Sequence, residues 1–165
     1  MARRCQPECD NRRMTRRSLL TALPFALLAS VRTGAQRGAT VRTITVYKDP
    51  SCGCCTNWSG LLQKGGFAVT IRSITELDTA KYAVPTALHS CHTAIVDGHI
   101  VEGHVPVADV QRMLRQGDAV YGLSVPGMPI GSPGMEVPSV AAQPYDVIAF
   151  DRTGKSRVFA SYGRA

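Results

Sequence analysis

Val41-Arg42-Thr43-Ile44-Thr45-Val46-Tyr47, broken by Asp49-Pro50-Ser51 and followed by Cys52-Gly53-Cys54-Cys55, is the stretch on which the fold turns. Its first part alternates polar and apolar residues and is rich in β-branched side chains, the pattern of a half-buried strand. Proline cannot donate a ladder hydrogen bond, so Pro50 marks the end of that strand. Beyond it, Trp58, Leu61 and Leu62 share one helical face. A helix is therefore expected to start around Gly53–Cys55 and to stop at Gly65-Gly66. The cysteines sit where the strand hands over to the helix.

Phe67 to Ile74 alternates again and predicts a second strand, with Phe67, Val69 and Ile71 on one side. A short helix is expected from Thr75 to Tyr82, ending before Pro85. Thr93–Val96 and Ile100–Glu102 flank Asp97-Gly98, a strong hairpin signal. Pro106 opens a further helix, in which Val107, Val110, Met113 and Leu114 make an apolar stripe and Gly117 supplies the stop. Gly122 to Pro138 is so dense in proline and glycine that it reads as a long loop without regular structure. Tyr145–Phe150 and Arg157–Tyr162 form a last hairpin around Arg152-Thr153-Gly154-Lys155. The order β–α–β–α–β–β–α, with cysteines at the first strand–helix junction, predicts a thioredoxin-like α/β fold. Sheet and helices then form a sandwich, with the Pro/Gly-rich loop and the C-terminal hairpin appended.

The chain has 165 residues, 44% hydrophobic, which suits one globular domain over residues 41–162. Its formal charge of +7 is concentrated at one end. Residues 1–35 hold seven arginines and two acids. The remainder keeps twelve basic and ten acidic residues, a net of +2, which leaves no electrostatic footprint for nucleic acid. Arg16-Arg17, preceded by Thr15 and followed by Ser18-Leu19-Leu20, leads into the apolar run from Leu23 to Val31. Thr33-Gly34-Ala35 then offers small residues for cleavage. Residues 1–35 thus read as an export signal that resembles the twin-arginine kind, an ordinary secretory signal with two arginines in its basic region being the alternative, with 36–40 as a short linker. Met14 is an alternative start. The apolar run is too short to span a bilayer, so the expected product is a periplasmic protein with no membrane span after cleavage.

Cys5 and Cys9 fall inside that signal, which leaves Cys52, Cys54, Cys55 and Cys91 of the six cysteines. Three within four residues are too close to staple distant parts of a chain, and neighbouring cysteines pair only under strain. A helix N-terminus lowers a thiol's pKa, because its unpaired N–H groups favour the thiolate. Cys52 and Cys55 have the C-x-x-C spacing of a dithiol couple. Cys54 adds a third sulfur that such a couple does not need. Soft thiolates select Cu(I), Zn(II) or an iron–sulfur cluster. Further candidate donors are Cys91 and His92 ahead of the third strand, His104 after the hairpin, and Met128 and Met135 in the Pro/Gly-rich loop. Thioether sulfur suits copper better than zinc. Each has a plainer reading: a small buried Cys91, hydrogen-bonded histidines, methionines that pack a loop. His89 and His99 have no accompanying donors, and Trp58 reads as core.

Cys52-Gly53-Cys54-Cys55 with Trp58, Val84-Pro85, Ser90-Cys91-His92-Thr93-Ala94, Glu102-Gly103-His104-Val105-Pro106 and Gly122-Leu123-Ser124-Val125-Pro126-Gly127-Met128-Pro129 to Met135 occur here in one order. Over about residues 42–162 this resembles the family of metal-binding proteins that includes the periplasmic copper-resistance protein CopG. The resemblance implies a thioredoxin-like fold and a role in copper handling. It also implies a cluster of more than one copper ion bridged by Cys52, Cys54, Cys55 and Cys91, with redox interconversion of Cu(I) and Cu(II). Other periplasmic copper-handling proteins are the implied partners. Three further readings stand beside it: a thiol–disulfide oxidoreductase using Cys52 and Cys55, a copper carrier without catalysis, and a structural zinc site.

Overall fold

The computed structural model describes residues 40–164 apart from 77 and 82. The expected export signal, residues 1–35, and all of the linker except Thr40 lie outside the described residues. Strand β1 (Thr43–Lys48) leads into helix α1 (Gly53–Lys64), and strand β2 (Ala68–Ser73) follows. Next come a single helical turn α2 (Asp78–Lys81), a 3-10 turn at Thr86–Leu88, and the hairpin of β3 (His92–Val96) and β4 (His99–Glu102). Helix α3 (Val107–Gln116) precedes β5 (Gly122–Ser124), β6 (Tyr145–Phe150) and β7 (Ser156–Tyr162).

The seven strands form one sheet in the order β2-β1-β3-β4-β5-β6-β7. β1 runs parallel to β2 and β4 parallel to β5; the other pairs are antiparallel. Alternation in β1 puts Ile44 and Val46 on one face, where Ala94, Val96, Val101 and Leu123 join them. Trp58 and Leu62 of α1 and Val110 and Met113 of α3 pack onto that face. Each such fully buried side chain contributes about 1.5–3 kcal/mol through removal of apolar surface from water. Val84 and Leu88 cover Ile100 and Phe150 on the opposite face. At the β3–β4 turn Asp97 (φ 48°) and Gly98 (φ 79°) both take positive φ, as a two-residue hairpin turn matched to strand twist requires.

One expectation is corrected. The segment from Gly122 onward is not wholly irregular, because Gly122–Ser124 forms β5, seated between β4 and β6. Gly122 is needed there: a Cβ would lie 2.3 Å from the Phe150 ring. Ile71 does not share the burial of Phe67. β2 is an edge strand, and Ile71 is 44% exposed. Among the described residues, no helix is long and apolar enough to cross a membrane.

Candidate metal centre

Cys52 is the N-cap of α1, and its sulfur accepts the Cys55 backbone N–H at 3.4 Å. Cys54 and Cys55 occupy the first turn, so their sulfurs stand at the positive end of the helix, where negative charge is favoured. Cys52 and Cys55 are joined by a disulfide, while Cys54 and Cys91 are free thiols. The Cys54 sulfur lies 3.5 Å from that of Cys52, and the Cys91 sulfur 3.6 Å from that of Cys55.

Cys91 enters from the start of β3, with His92 as the first residue of that strand. Gly103, directly after β4, turns the chain back (φ 70°) and donates its N–H to the His92 carbonyl at 2.9 Å. No side chain fits at this position, since a Cβ would meet Ser90 Oγ at 2.5 Å. The turn delivers His104, whose Nε2 lies 3.1 Å from the Cys91 sulfur. On the other side of that ring, Nδ1 donates to the Pro133 carbonyl at 2.8 Å. A carbonyl only accepts, so the proton resides on Nδ1 and Nε2 keeps a free lone pair facing the sulfur. His92 presents Nδ1 at 3.3 Å from the same sulfur. Its ring packs on Trp58 and stands edge-on to His104, and its Nε2 is buried without a hydrogen-bond partner.

Two four-donor sets therefore overlap. Cys52, Cys54, Cys55 and Cys91 form one, and Cys55, Cys91, His92 and His104 the other; within each set the ligand atoms lie within 4.8 Å of one another. Burial governs their protonation. It pulls His92 down to about 3, with the charges of His104 and Lys81 adding to the effect. It also lowers His104, partly offset by the bond to Pro133. Both imidazoles are neutral at physiological pH, the form that ligates a metal. Burial, seconded by Cys54, pushes the Cys91 thiol up to about 11.

The Pro/Gly-rich loop borders this cluster. Ser90 Oγ donates to the Gly127 carbonyl, Pro133 holds His104, and Gly134 packs against the backbone of Cys54 and Trp58. Met128 and Met135 ride on that loop, Met128 being 53% exposed and Met135 half-buried. His89 bonds the Val84 carbonyl and His99 the Val120 carbonyl, both away from the cluster. A cavity of about 530 Å³ lies at the β3–β4 turn and is lined by none of the cluster residues.

Two residues beside the site carry a role that the sequence reading does not assign. Glu102 is fully buried, and Lys81 of α2 forms an ion pair with it. The available signal was a carboxylate closing the otherwise apolar Ile100-Val101-Glu102.

Comparison with known proteins follows the same lines. Residues 88–135 match the family described as protein of unknown function DUF411, a span that includes Cys91, His92, His104 and both loop methionines. Comparison with curated proteins finds no match. A solved structure of copper resistance protein CopG, form 2, is similar at 40% identity with a TM-score of 0.70, covering 74% of this chain and 98% of that one. Form 1 is similar at 41% identity and a TM-score of 0.69, over 73% of this chain and 96% of that one. Identity at this level across nearly the full length of those structures places the chain in the CopG family.

Proposed function

We propose that this is an exported copper-binding protein of copper resistance, holding Cu(I) on Cys52, Cys54, Cys55 and Cys91 beside His92 and His104. One observation carries the reading: once the Cys52–Cys55 disulfide is reduced, six soft or borderline donors converge in two sets that share Cys55 and Cys91. A single tetrahedral zinc uses four donors, so six with shared sulfurs favour several ions of a metal that thiolates bridge. The CopG structures, named for copper resistance, favour copper as that metal. Met128 and Met135 are assigned as outer thioether donors on the bordering loop. The path from β1 through α1 to β2, followed by the β3–β4 hairpin and α3, supports a thioredoxin-like core. The arginine pair and apolar run of residues 16–31 support export to the periplasm. Other copper-handling proteins of that compartment are the proposed partners.

The Cys52–Cys55 pair supplies a redox function at the same site. When the dithiol closes to the disulfide, two sulfurs each give up one electron and both protons leave; two Cu(II) take the electrons and become Cu(I). Opening the disulfide for a new round requires two electrons and two protons from an external dithiol. The same disulfide favours a second reading, thiol–disulfide exchange without copper. Cys54→Ser separates them. Copper bound to the reduced protein should fall steeply in this variant, while exchange through Cys52 and Cys55 would be untouched. Full copper retention by Cys54→Ser overturns the cluster reading.

A further inference from the structure

We propose that Glu102, charge-paired with Lys81, is a positioning residue that holds Cys91 and His92 in place from the opposite face of the sheet; the proposal rests on the copper-binding reading above. Glu102 is fully buried and Lys81 is 5% exposed. Placing both charges out of water is costly, and a buried ion pair can often be exchanged for apolar residues without loss of stability. Stability alone is therefore a weak reason for its presence. Its hydrogen bonds supply a better one.

The two carboxylate oxygens take donors from three places. Oε1 accepts the Ser90 backbone N–H at 2.6 Å, Oε2 accepts the Thr93 hydroxyl at 2.6 Å, and Lys81 Nζ donates to Oε1. Lys81 Nζ also reaches Thr93 Oγ1 at 3.2 Å. Ser90 and Thr93 are the residues on either side of Cys91-His92. A single carboxylate thus fixes both ends of the segment that carries these two donors. Thr93 and Glu102 are directly opposite each other in the β3–β4 register. Side chains alternate along a strand, so Thr93 faces away from α1 while its neighbour His92 faces Trp58 on it. Glu102 also precedes Gly103-His104, and the segment bearing the third donor starts at the same anchor. Charge-assisted bonds of this kind are short and directional, which suits them to setting sulfur–nitrogen distances.

The test compares three proteins: the unaltered chain, Lys81→Met/Glu102→Leu and Glu102→Gln. The double variant replaces the ion pair with apolar groups of similar volume and leaves no buried charge unpaired, so it should still fold; its urea midpoint should fall only by the loss of an acceptor for the Ser90 N–H and the Thr93 hydroxyl. Its Cu(I) affinity, measured under reduction against a chromogenic chelator, should drop about 10- to 100-fold, with an altered copper–thiolate absorption. Glu102→Gln keeps one acceptor oxygen and should fall between the two. It also carries the comparison if the double variant does not fold. Amide exchange of metal-free protein gives a readout that needs no copper: residues 91–93 should lose protection in the double variant while β1 and β6 keep theirs. Unchanged affinity, spectrum and protection in a folded double variant would overturn the proposal. Failure of the unaltered protein to bind Cu(I) would instead overturn the copper reading, and the exchange measurement would still decide the role of Glu102.

Discussion

The sulfurs of Cys55 and Cys91 lie 3.6 Å apart although the two residues are separated by 36 positions in the chain. They are also the two donors common to both four-donor sets. Loss of Cys91 should therefore cost more than loss of one ligand among equals. Cys91→Ser is expected to lower Cu(I) affinity by well over about tenfold. It should also remove the sulfur that both histidine nitrogens face. Competition with a chelator, read alongside metal content, checks this, and tight binding by Cys91→Ser would exclude the residue from the site.

Metal-free, reduced protein should lose stability in acid. His92 is held neutral down to about 3 by burial. The unfolded chain takes up that proton near its ordinary value of about 6.5. Between these values the unfolded state binds more protons, so stability rises with pH. The contribution is fully present above about pH 6.5 and is lost as pH falls toward 3, at a slope of up to about 1.4 kcal/mol per pH unit. His104, shifted in the same direction, steepens the loss. Urea midpoints from pH 7.5 to 4 should fall accordingly, and His92→Gln should flatten the curve.

Copper loading should release protons. Burial keeps Cys91 a thiol at neutral pH, its value pushed up to about 11. A metal binds the thiolate, so loading must expel that proton and affinity should climb as pH rises. Calorimetry in two buffers with different ionisation enthalpies reads the proton count directly. Equal apparent enthalpies in the two would contradict it.

Gly134→Ala should loosen the loop that borders the cluster. At φ +82° an L-residue is strained, and its Cβ would meet the Trp58 backbone nitrogen at 2.9 Å and the Cys54 carbonyl at 3.1 Å. A cost of about 1–2 kcal/mol is expected from the backbone conformation alone. Displacing the loop also withdraws Pro133 from His104, so copper retention should decline with stability. A melting temperature and copper content equal to those of the unaltered protein would argue against this role for the loop.

Local signals made most of the fold legible. Trp58, Leu61 and Leu62 marked the face of α1, Gly65-Gly66 its end, and Asp97-Gly98 the central hairpin, because each encodes structure within a few residues. β5 escaped notice for the opposite reason: three residues beside a Pro/Gly-rich run carry no periodicity, and only pairing with β4 and β6 makes them a strand. The cysteines and histidines could be named as candidates from type and spacing. What spacing could not reveal was which nitrogen of His104 is free, since that depends on a carbonyl 29 residues away. Glu102 was similarly opaque, because its partner Lys81 lies 21 positions earlier. Asp109, buried on α3 and bonded to Tyr162 at 2.7 Å, depends on a residue 53 positions later.

The donors at the sheet end come from three separate stretches, around residues 52–55, at 91–92 and at 104. An ion held by all three behaves as a reversible cross-link that closes two chain loops, and closing loops removes conformational freedom from the unfolded chain. Cargo and scaffold are then coupled: a loaded molecule resists unfolding and proteolysis more than an empty one, by an amount that follows metal supply. Copper content would thus set how long each molecule survives in its compartment, which makes the lifetime of the protein itself a gauge of the metal it carries.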